Sequence, residues 1–294
     1  MKAVQARTRI TLKNILFATD FLPAADLAAP IAVQIAQRYD AKVYGVHVNR
    51  FDDHTAIAPN AWAAMAEAAE RESKEQAQRL NKQLEAVEHE AVIGEGNTWK
   101  VISDLIEKRE IDLVVVGTRG RTGFGKVLLG SVAEQILRQS PCPVLTVGPH
   151  VNPWSEEYAK MREILYATDL ATDTPVAAHY AISLAQENQA HLVLLHVIED
   201  PKAGDLVDRP EVVDFKQRKL QQLVTEQAGL WCDPTYIVEQ GAAAEKILDV
   251  ARRRHTDLIV LGARPAKGFA THLNIGTVHK VVSQVECPVL TVRG

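Results

Sequence analysis

The chain has 294 residues, of which 47% are hydrophobic and 24% charged. At roughly 100 to 200 residues per domain that length suggests two domains, and the composition excludes intrinsic disorder as a description of the whole. Lys and Arg total 33 against 37 Asp and Glu, a formal net charge of −4, which removes the electrostatic basis for general affinity to nucleic acid or an anionic membrane surface.

The opening residues Met1–Arg9 are polar, and no run of about 18 apolar residues follows, so neither a signal core nor a spanning helix is expected and a cytoplasmic location is. The first apolar run, Ile15 to Ala18, ends in Thr19-Asp20. A helical pattern follows, with Leu27, Ile31 and Ile35 four residues apart. A second run, Val43 to Val48, precedes an Ala-rich stretch from Ala61 to Glu90, in which Leu80, Leu84 and Val87 keep helical spacing. Leu113 to Val116 is apolar without alternation, as expected of a parallel strand buried on both faces. A glycine-rich segment, Gly117 to Ser131, leads into a helix with Val132, Ala133, Ile136 and Leu137 on its apolar side. Cys142-Pro143 then opens the run Val144 to Val147. Gly148, Pro149 and Pro153 mark a joint.

Beyond the joint the pattern returns. Ile15-Leu16-Phe17-Ala18-Thr19-Asp20 recurs 149 positions later as Ile164-Leu165-Tyr166-Ala167-Thr168-Asp169, and His47-Val48 recurs as His196-Val197. Asp112 to Gly117 recurs 145 positions later as Asp257 to Gly262, and Cys142 to Val147 as Cys287 to Val292. The lost residues fall between the second and fourth strands. A period of this size is a duplicated domain rather than a solenoid repeat. Alternating strands and helices predict an α/β fold, with a doubly wound parallel sheet of about five strands in each of two domains, residues 9–149 and 159–294. The closing strands Val144–Val147 and Val289–Val292 lie at sheet edges in that order. They suit antiparallel pairing with each other, an intra-chain pseudo-dimer of the two domains that could dimerise further through other surfaces.

Ligands of open parallel sheets sit at the carboxyl ends of the strands. Five glycines among the fifteen residues from Gly117 to Ser131 permit close backbone approach and feed a helix N-terminus, the requirements of a phosphate site; Arg119, Arg121 and Lys126 could add charge. Gly120-x4-Gly125-Lys126 lacks the hydroxyl of a Walker A loop, because Val127 follows, and Leu128 stands where a dinucleotide fingerprint needs its third glycine. The pattern that fits is Gly117-x2-Gly120-x9-Gly130-Ser131.

This pattern, with Thr19-Asp20, His47-Val48 and Pro143-Val144-Leu145-Thr146-Val147, resembles the universal stress protein family, two domains of it in tandem. The resemblance implies a Rossmann-like, adenine nucleotide alpha hydrolase-like fold that binds ATP, with or without Mg2+. In the first copy it implies contacts from Ala18, Asp20, Val48, Gly117, Arg119, Gly120, Gly130, Ser131 and Val132. In the second, the corresponding positions are Asp169, Val197, Gly262, Gly276 and Thr277. There Pro265 replaces the second glycine, and Gly276-Thr277 arrives one residue late. Proline offers no N–H to a phosphate, so much weaker binding or none is expected from copy two, with Arg264 and Lys267 among its remaining contacts.

Several of these residues also have plain structural explanations. Ser131 and Glu134 spell a capping box, Asp20 can cap its own turn, and His47 and His196 read as core or rim histidines without metal-ligand spacing. Cys142 and Cys287 read as buried fillers, Cys232 as a further free thiol, and Arg252 to Arg254 as a solvated helix end. No catalytic constellation or metal motif occurs. The expected function is therefore ATP-dependent conformation or association in stress response and regulation, against two alternatives, a weak ATPase or phosphotransfer protein and a scaffold that binds no nucleotide.

Overall fold

A computed structural model describes residues 10–49, 62–118, 129–151, 161–170, 175–199, 209–224, 234–263 and 275–293. The first half runs β1 (Asn14–Ala18), α1 (Pro23–Tyr39), β2 (Lys42–Asn49), α2 (Trp62–Leu84), β3 (His89–Glu95), α3 (Thr98–Lys108), β4 (Leu113–Gly117), α4 (Ser131–Gln139) and β5 (Val144–Val147). The second half runs β6 (Glu163–Ala167), α5 (Pro175–Asn188), β7 (His191–Ile198), α6 (Pro210–Gln221), β8 (Thr235–Gln240), α7 (Ala243–Arg254), β9 (Leu258–Ala263), α8 (Ile275–Gln284) and β10 (Val289–Arg293).

All ten strands form one sheet in the order β3-β2-β1-β4-β5-β10-β9-β6-β7-β8. Pairing is parallel within each half and antiparallel only at the centre, where Val289, Leu290 and Thr291 oppose Thr146, Leu145 and Val144. The two edges predicted from the repeated Pro-Val-Leu-Thr-Val run thus close on each other. Strand alternation sends Ile15, Phe17, Leu145 and Leu290 to one core, under α1, α2, α5 and α6, and Leu16, Ala18, Val144 and Val289 to the other, under α3, α4, α7 and α8. Both cores run through both halves, so the apolar burial that stabilises one half is shared with the other. The ends of α1 and α5 also meet: Arg38 donates to Asn188 Oδ1 and to the Glu187 carbonyl, each at 2.5 Å, and Tyr39 bonds the Glu187 carboxylate.

Helix α1 starts with Pro23 at its first positions and Asp26 in its first turn, both suited to a helix N-terminus. Its buried face is almost entirely alanine, with Ile31 the exception, which lets its backbone ride close to the sheet. Helix α2 ends at Leu84, so Val87 lies in the following turn and not in the helical repeat that its spacing suggested. The halves repeat their local devices as well as their strands. Asp112 Oδ2 accepts from the amides of Lys13 and Asn14 at 2.7 and 3.0 Å; Asp257 Oδ2 accepts from those of Arg162 and Glu163 at 2.7 and 2.9 Å. These carboxylates tie the start of β4 to that of β1, and the start of β9 to that of β6.

Among the described residues no helix is long and apolar enough to cross a membrane. Cys232, residues 1–9, Asn152, Pro153, and the segments 119–128 and 264–274 lie outside the described residues.

Candidate nucleotide site

The first half opens a cavity of about 220 Å3 at the carboxyl ends of its strands. Ala18, Thr19 and Asp20 reach it from the end of β1, Val46, His47 and Val48 from β2, Val116 and Gly117 from β4, and Gly130, Ser131, Val132 and Ala133 from the start of α4. Ala25 of α1, with Thr98 and Ile102 of α3, completes the wall. The strand and α3 side is largely apolar, and the α4 side is backbone at a helix start. Helix geometry leaves the N–H groups of Ser131, Val132 and Ala133 without intrahelical acceptors, and all three residues line the cavity. The positive end of the α4 dipole is therefore directed at it.

Of the residues predicted in the first copy, the structure brings together Ala18, Asp20, Val48, Gly117, Gly130, Ser131 and Val132. Arg119 and Gly120, with Arg121 and Lys126, lie outside the described residues. Thr98, Ile102 and Ala25 had no sequence signal, since they come from helices whose pattern reports only burial.

The turn after β1 is built locally. Thr19 Oγ1 accepts from the Phe21 amide at 2.9 Å and Asp20 Oδ1 from the Leu22 amide at 3.1 Å, so Asp20 does cap its turn while bordering the cavity. Phe21 sits at φ 59°, a left-handed conformation that bulky side chains rarely adopt and that tends to mark functional segments. Its ring packs on His47 with centroids 4.6 Å apart, and the Arg79 guanidinium covers it at 4.6 Å. His47 Nδ1 lies 2.9 Å from the Thr19 carbonyl and therefore carries a proton directed at it, and Nε2 faces Asn49 Oδ1 at 3.2 Å. His47 thus lines the cavity as a braced rim residue.

Two readings need revision. Ser131 is not the N-cap of α4: Gly130 holds that position at φ −61°, ψ 147°, with no side-chain cap hydrogen bond. Glu134 does not reach back but pairs with Arg138 at 2.9 Å, so no capping box forms and Ser131, exposed at the helix start, presents its hydroxyl to solvent and cavity. Gly117, read as a ligand-facing glycine, also has a packing cause. A Cβ there would lie 2.5 Å from the backbone of Ala24 and Ala25, so the close approach of α1 to β4 demands glycine with or without a ligand.

The second half repeats the frame. Thr168 Oγ1 accepts from Leu170 N at 3.0 Å, Leu170 sits at φ 59°, and His196 Nδ1 lies 2.9 Å from the Thr168 carbonyl. His196 is more deeply buried than His47, and that burial holds its pKa below the ordinary histidine value. Asp169, Val197 and Gly262 follow or end β6, β7 and β9 as predicted positions. Gly276 and Thr277, however, fall inside α8, which already includes Ile275. Gly276 therefore lies within the helix, whereas Gly130 caps its own. Arg264, Pro265 and Lys267 lie outside the described residues.

Elsewhere, burial raises the Cys287 thiol pKa strongly, and that of Cys142 as well; Cys287 is a buried filler, whereas Cys142 is only half-buried, close to Ser140 Oγ. Arg253 and Arg254 do more than face solvent, pairing with Glu239 at 2.8 Å and Glu163 at 2.7 Å. Among the described residues no group of three or more His, Cys, Asp or Glu could hold a metal ion.

The fold and the cavity define a tandem α/β protein of the doubly wound class, with a strand-end cavity in its first half. The model of the universal stress protein family matches residues 11–148 and again residues 160–293, and the chain belongs to that family. A universal stress protein of Mycolicibacterium smegmatis is 28% identical over 95% of this chain and 97% of its own. One of Methanocaldococcus jannaschii is 34% identical over 46% of this chain and 81% of its own. A crystal structure of a universal stress protein from Archaeoglobus fulgidus aligns with TM-score 0.67 at 20% identity, covering 95% of this chain and 98% of that one, a likeness of fold.

Proposed function

We propose that the chain is a stress-response protein that binds ATP in its first half, within domains spanning residues 9–149 and 159–294, and that its output is a nucleotide-dependent conformation or association. The observation that carries this reading is the cavity itself, where an apolar strand-end wall meets the unpaired amides of Ser131, Val132 and Ala133. The residues fit the group. Ala18, Val46, Val48 and Ile102 offer apolar contact to a base, Asp20 an acceptor for ribose hydroxyls, and the start of α4 both N–H donors and a favourable dipole for phosphate. Gly117, Gly130 and Ser131, with Arg119 and Gly120 of the connecting segment, complete the proposed set. Among the described residues no hydrogen bond joins a nucleophile to a base in the cavity wall, which supports binding over dedicated turnover.

Asp169, Val197, Gly262, Gly276 and Thr277 are the matching positions of the second half, for which we propose weaker binding or none, because Gly276 lies within a helical turn. Calorimetry on the whole chain tests both statements. One ATP per chain is expected, abolished by Gly130→Leu, whose side chain would occupy the approach to the α4 amides. Two sites of similar affinity would overturn the asymmetry, and unchanged binding in the Gly130 variant would overturn the site.

A scaffold that binds no nucleotide has one observation in its favour, the packing need for glycine at 117. Absence of ATP, ADP and AMP binding at low salt would establish it.

A further inference from the structure

Helix α4 is held at both ends by residues of the other half. At its start, the Leu129 amide, one residue before the cap Gly130, donates to His279 Nε2 of α8 at 3.0 Å. Accepting this bond requires the Nε2 lone pair, so a neutral ring carries its proton on Nδ1. At its far end, Arg293 Nη2 donates to the Leu137 carbonyl at 3.0 Å and to the Arg138 carbonyl, two of the acceptors that every helix C-terminus leaves unpaired. Arg293 is the final residue of β10, adjoining the central antiparallel pair.

Among the described residues the equivalent positions of the first half do not return this grip. When Ile136 and Val281, the fully buried residues of the two helices, are matched, His279 corresponds to Glu134, whose carboxylate is engaged by Arg138 of its own helix. Arg293 corresponds in the repeat to Gly148, which has no side chain. A Cβ there would lie 2.4 Å from the Val282 carbonyl, so at this position the first half approaches α8 with its backbone. The half whose glycine pattern has drifted supplies both side chains, and the half with the regular pattern receives them.

We infer that His279 and Arg293 are positioning residues through which the second half sets the axial placement of α4, and with it the amides presented to a phosphate group in the first half. This rests on the reading of the cavity as a nucleotide site. It gives the second half a role that requires no ligand of its own. It also implies that a change at the central seam is passed to the first-half site through Arg293.

Two measurements on the full-length chain test the inference, and they fail separately from the nucleotide reading. Amide hydrogen exchange at Leu129 needs no ligand. His279→Ala should speed it on the order of tenfold, as expected for loss of one hydrogen bond, while Val114 and Leu145 in the sheet keep their protection. His279→Gln, whose amide oxygen can accept, should restore much of it. Calorimetry gives the second readout: His279→Ala and Arg293→Ala should weaken ATP about fivefold while changing adenosine by less than about twofold, because only the phosphates use α4. Unchanged exchange at Leu129 in His279→Ala, or an equal loss for ATP and adenosine, overturns the inference. If the unmodified chain binds no nucleotide, the cavity reading fails and exchange at Leu129 alone decides whether the helix is held.

Discussion

The two halves share the devices that the sheet requires and differ in those that only a ligand or a neighbour would use. Asp112 and Asp257 make the same two amide bonds, within about 0.1 Å of each other. Thr19 and Thr168 build the same turn, and Phe21 and Leu170 adopt the same left-handed backbone, both at φ 59°. Against this stand Gly130 at a helix cap and Gly276 inside a helix, Glu134 against His279, and Gly148 against Arg293. Duplication has kept the strand ends alike while the helices following β4 and β9 make different contacts. The strained turn after the first strand survives even in the half whose glycine pattern is broken. Its retention therefore does not depend on that pattern.

The largest effect is expected where the halves cannot be told apart, at the seam. Leu145 and Leu290 face one another in register at 3% and 4% exposure, and replacing either with Asp buries an unpaired charge. The cost should reach about 4 kcal/mol or more, seen as loss of the cooperative unfolding transition or as an extended, two-body profile in small-angle scattering. A single transition with an unshifted midpoint would refute the shared core.

Gly117→Ala should cost about 2 kcal/mol in urea unfolding, since α1 must shift away from β4. It should also weaken ATP binding if the cavity is the nucleotide site, whereas lost stability with unaltered affinity would assign Gly117 to packing alone. Asp112→Ala and Asp257→Ala sharpen the comparison differently. Each removes the acceptor for two amides, so each should cost about 1.5 kcal/mol, and their equality within about 0.5 kcal/mol is the point of the measurement. A large difference would show that the halves are unequally stable despite equal geometry.

Thr146 and Thr291 at the seam carry buried hydroxyls with no hydrogen-bond partner. Valine at either position should raise stability by about 1 kcal/mol, read from the denaturant midpoint. The smallest effect is expected from His196. Burial lowers its folded-state pKa below the 6.5 of an unperturbed histidine, so the unfolded chain binds the proton more readily. Its contribution is complete above pH 6.5 and is lost as pH falls from there through the lowered folded value. Unfolding at pH 7.5 and 5.5 should show a smaller acid penalty in His196→Asn than in the unmodified chain; parallel losses would remove His196 as the source.

Much of the sheet was legible because buried parallel strands write uninterrupted apolar runs, and because a repeated run at the end of each half can satisfy only one kind of edge. Ala18, Asp20, Val48 and Gly117 were named through the family resemblance, and they lie where the strand-end rule places a ligand. What escaped the sequence was three-dimensional. The Ser131-x2-Glu134 spacing matches a capping box, yet the helix begins one residue earlier than a capping serine requires, and Glu134 finds Arg138 instead. Thr98 and Ile102 reach the cavity from a helix that a strand-end rule does not consult. Phe21 gives no sign of a positive φ, because neither glycine nor asparagine marks it. His279 and Arg293 act across about 150 positions of chain, a distance over which no local pattern speaks.

The central pairing of β5 with β10 also has a consequence for synthesis. Strand β5 is complete at Val147, but its partner begins only at Val289. At roughly 5 to 20 residues per second, a ribosome needs on the order of 7 to 30 s to make the intervening chain. Throughout that interval the nascent first half presents an open apolar strand, Val144 to Val147, to whatever is nearby. On a polysome the nearest matching strand belongs to another copy of the same nascent chain, and mispairing there would give a domain-swapped dimer joined by two first halves. The second half then acts as its neighbour's delayed cover, and the yield of monomer should rise when translation through this region is fast.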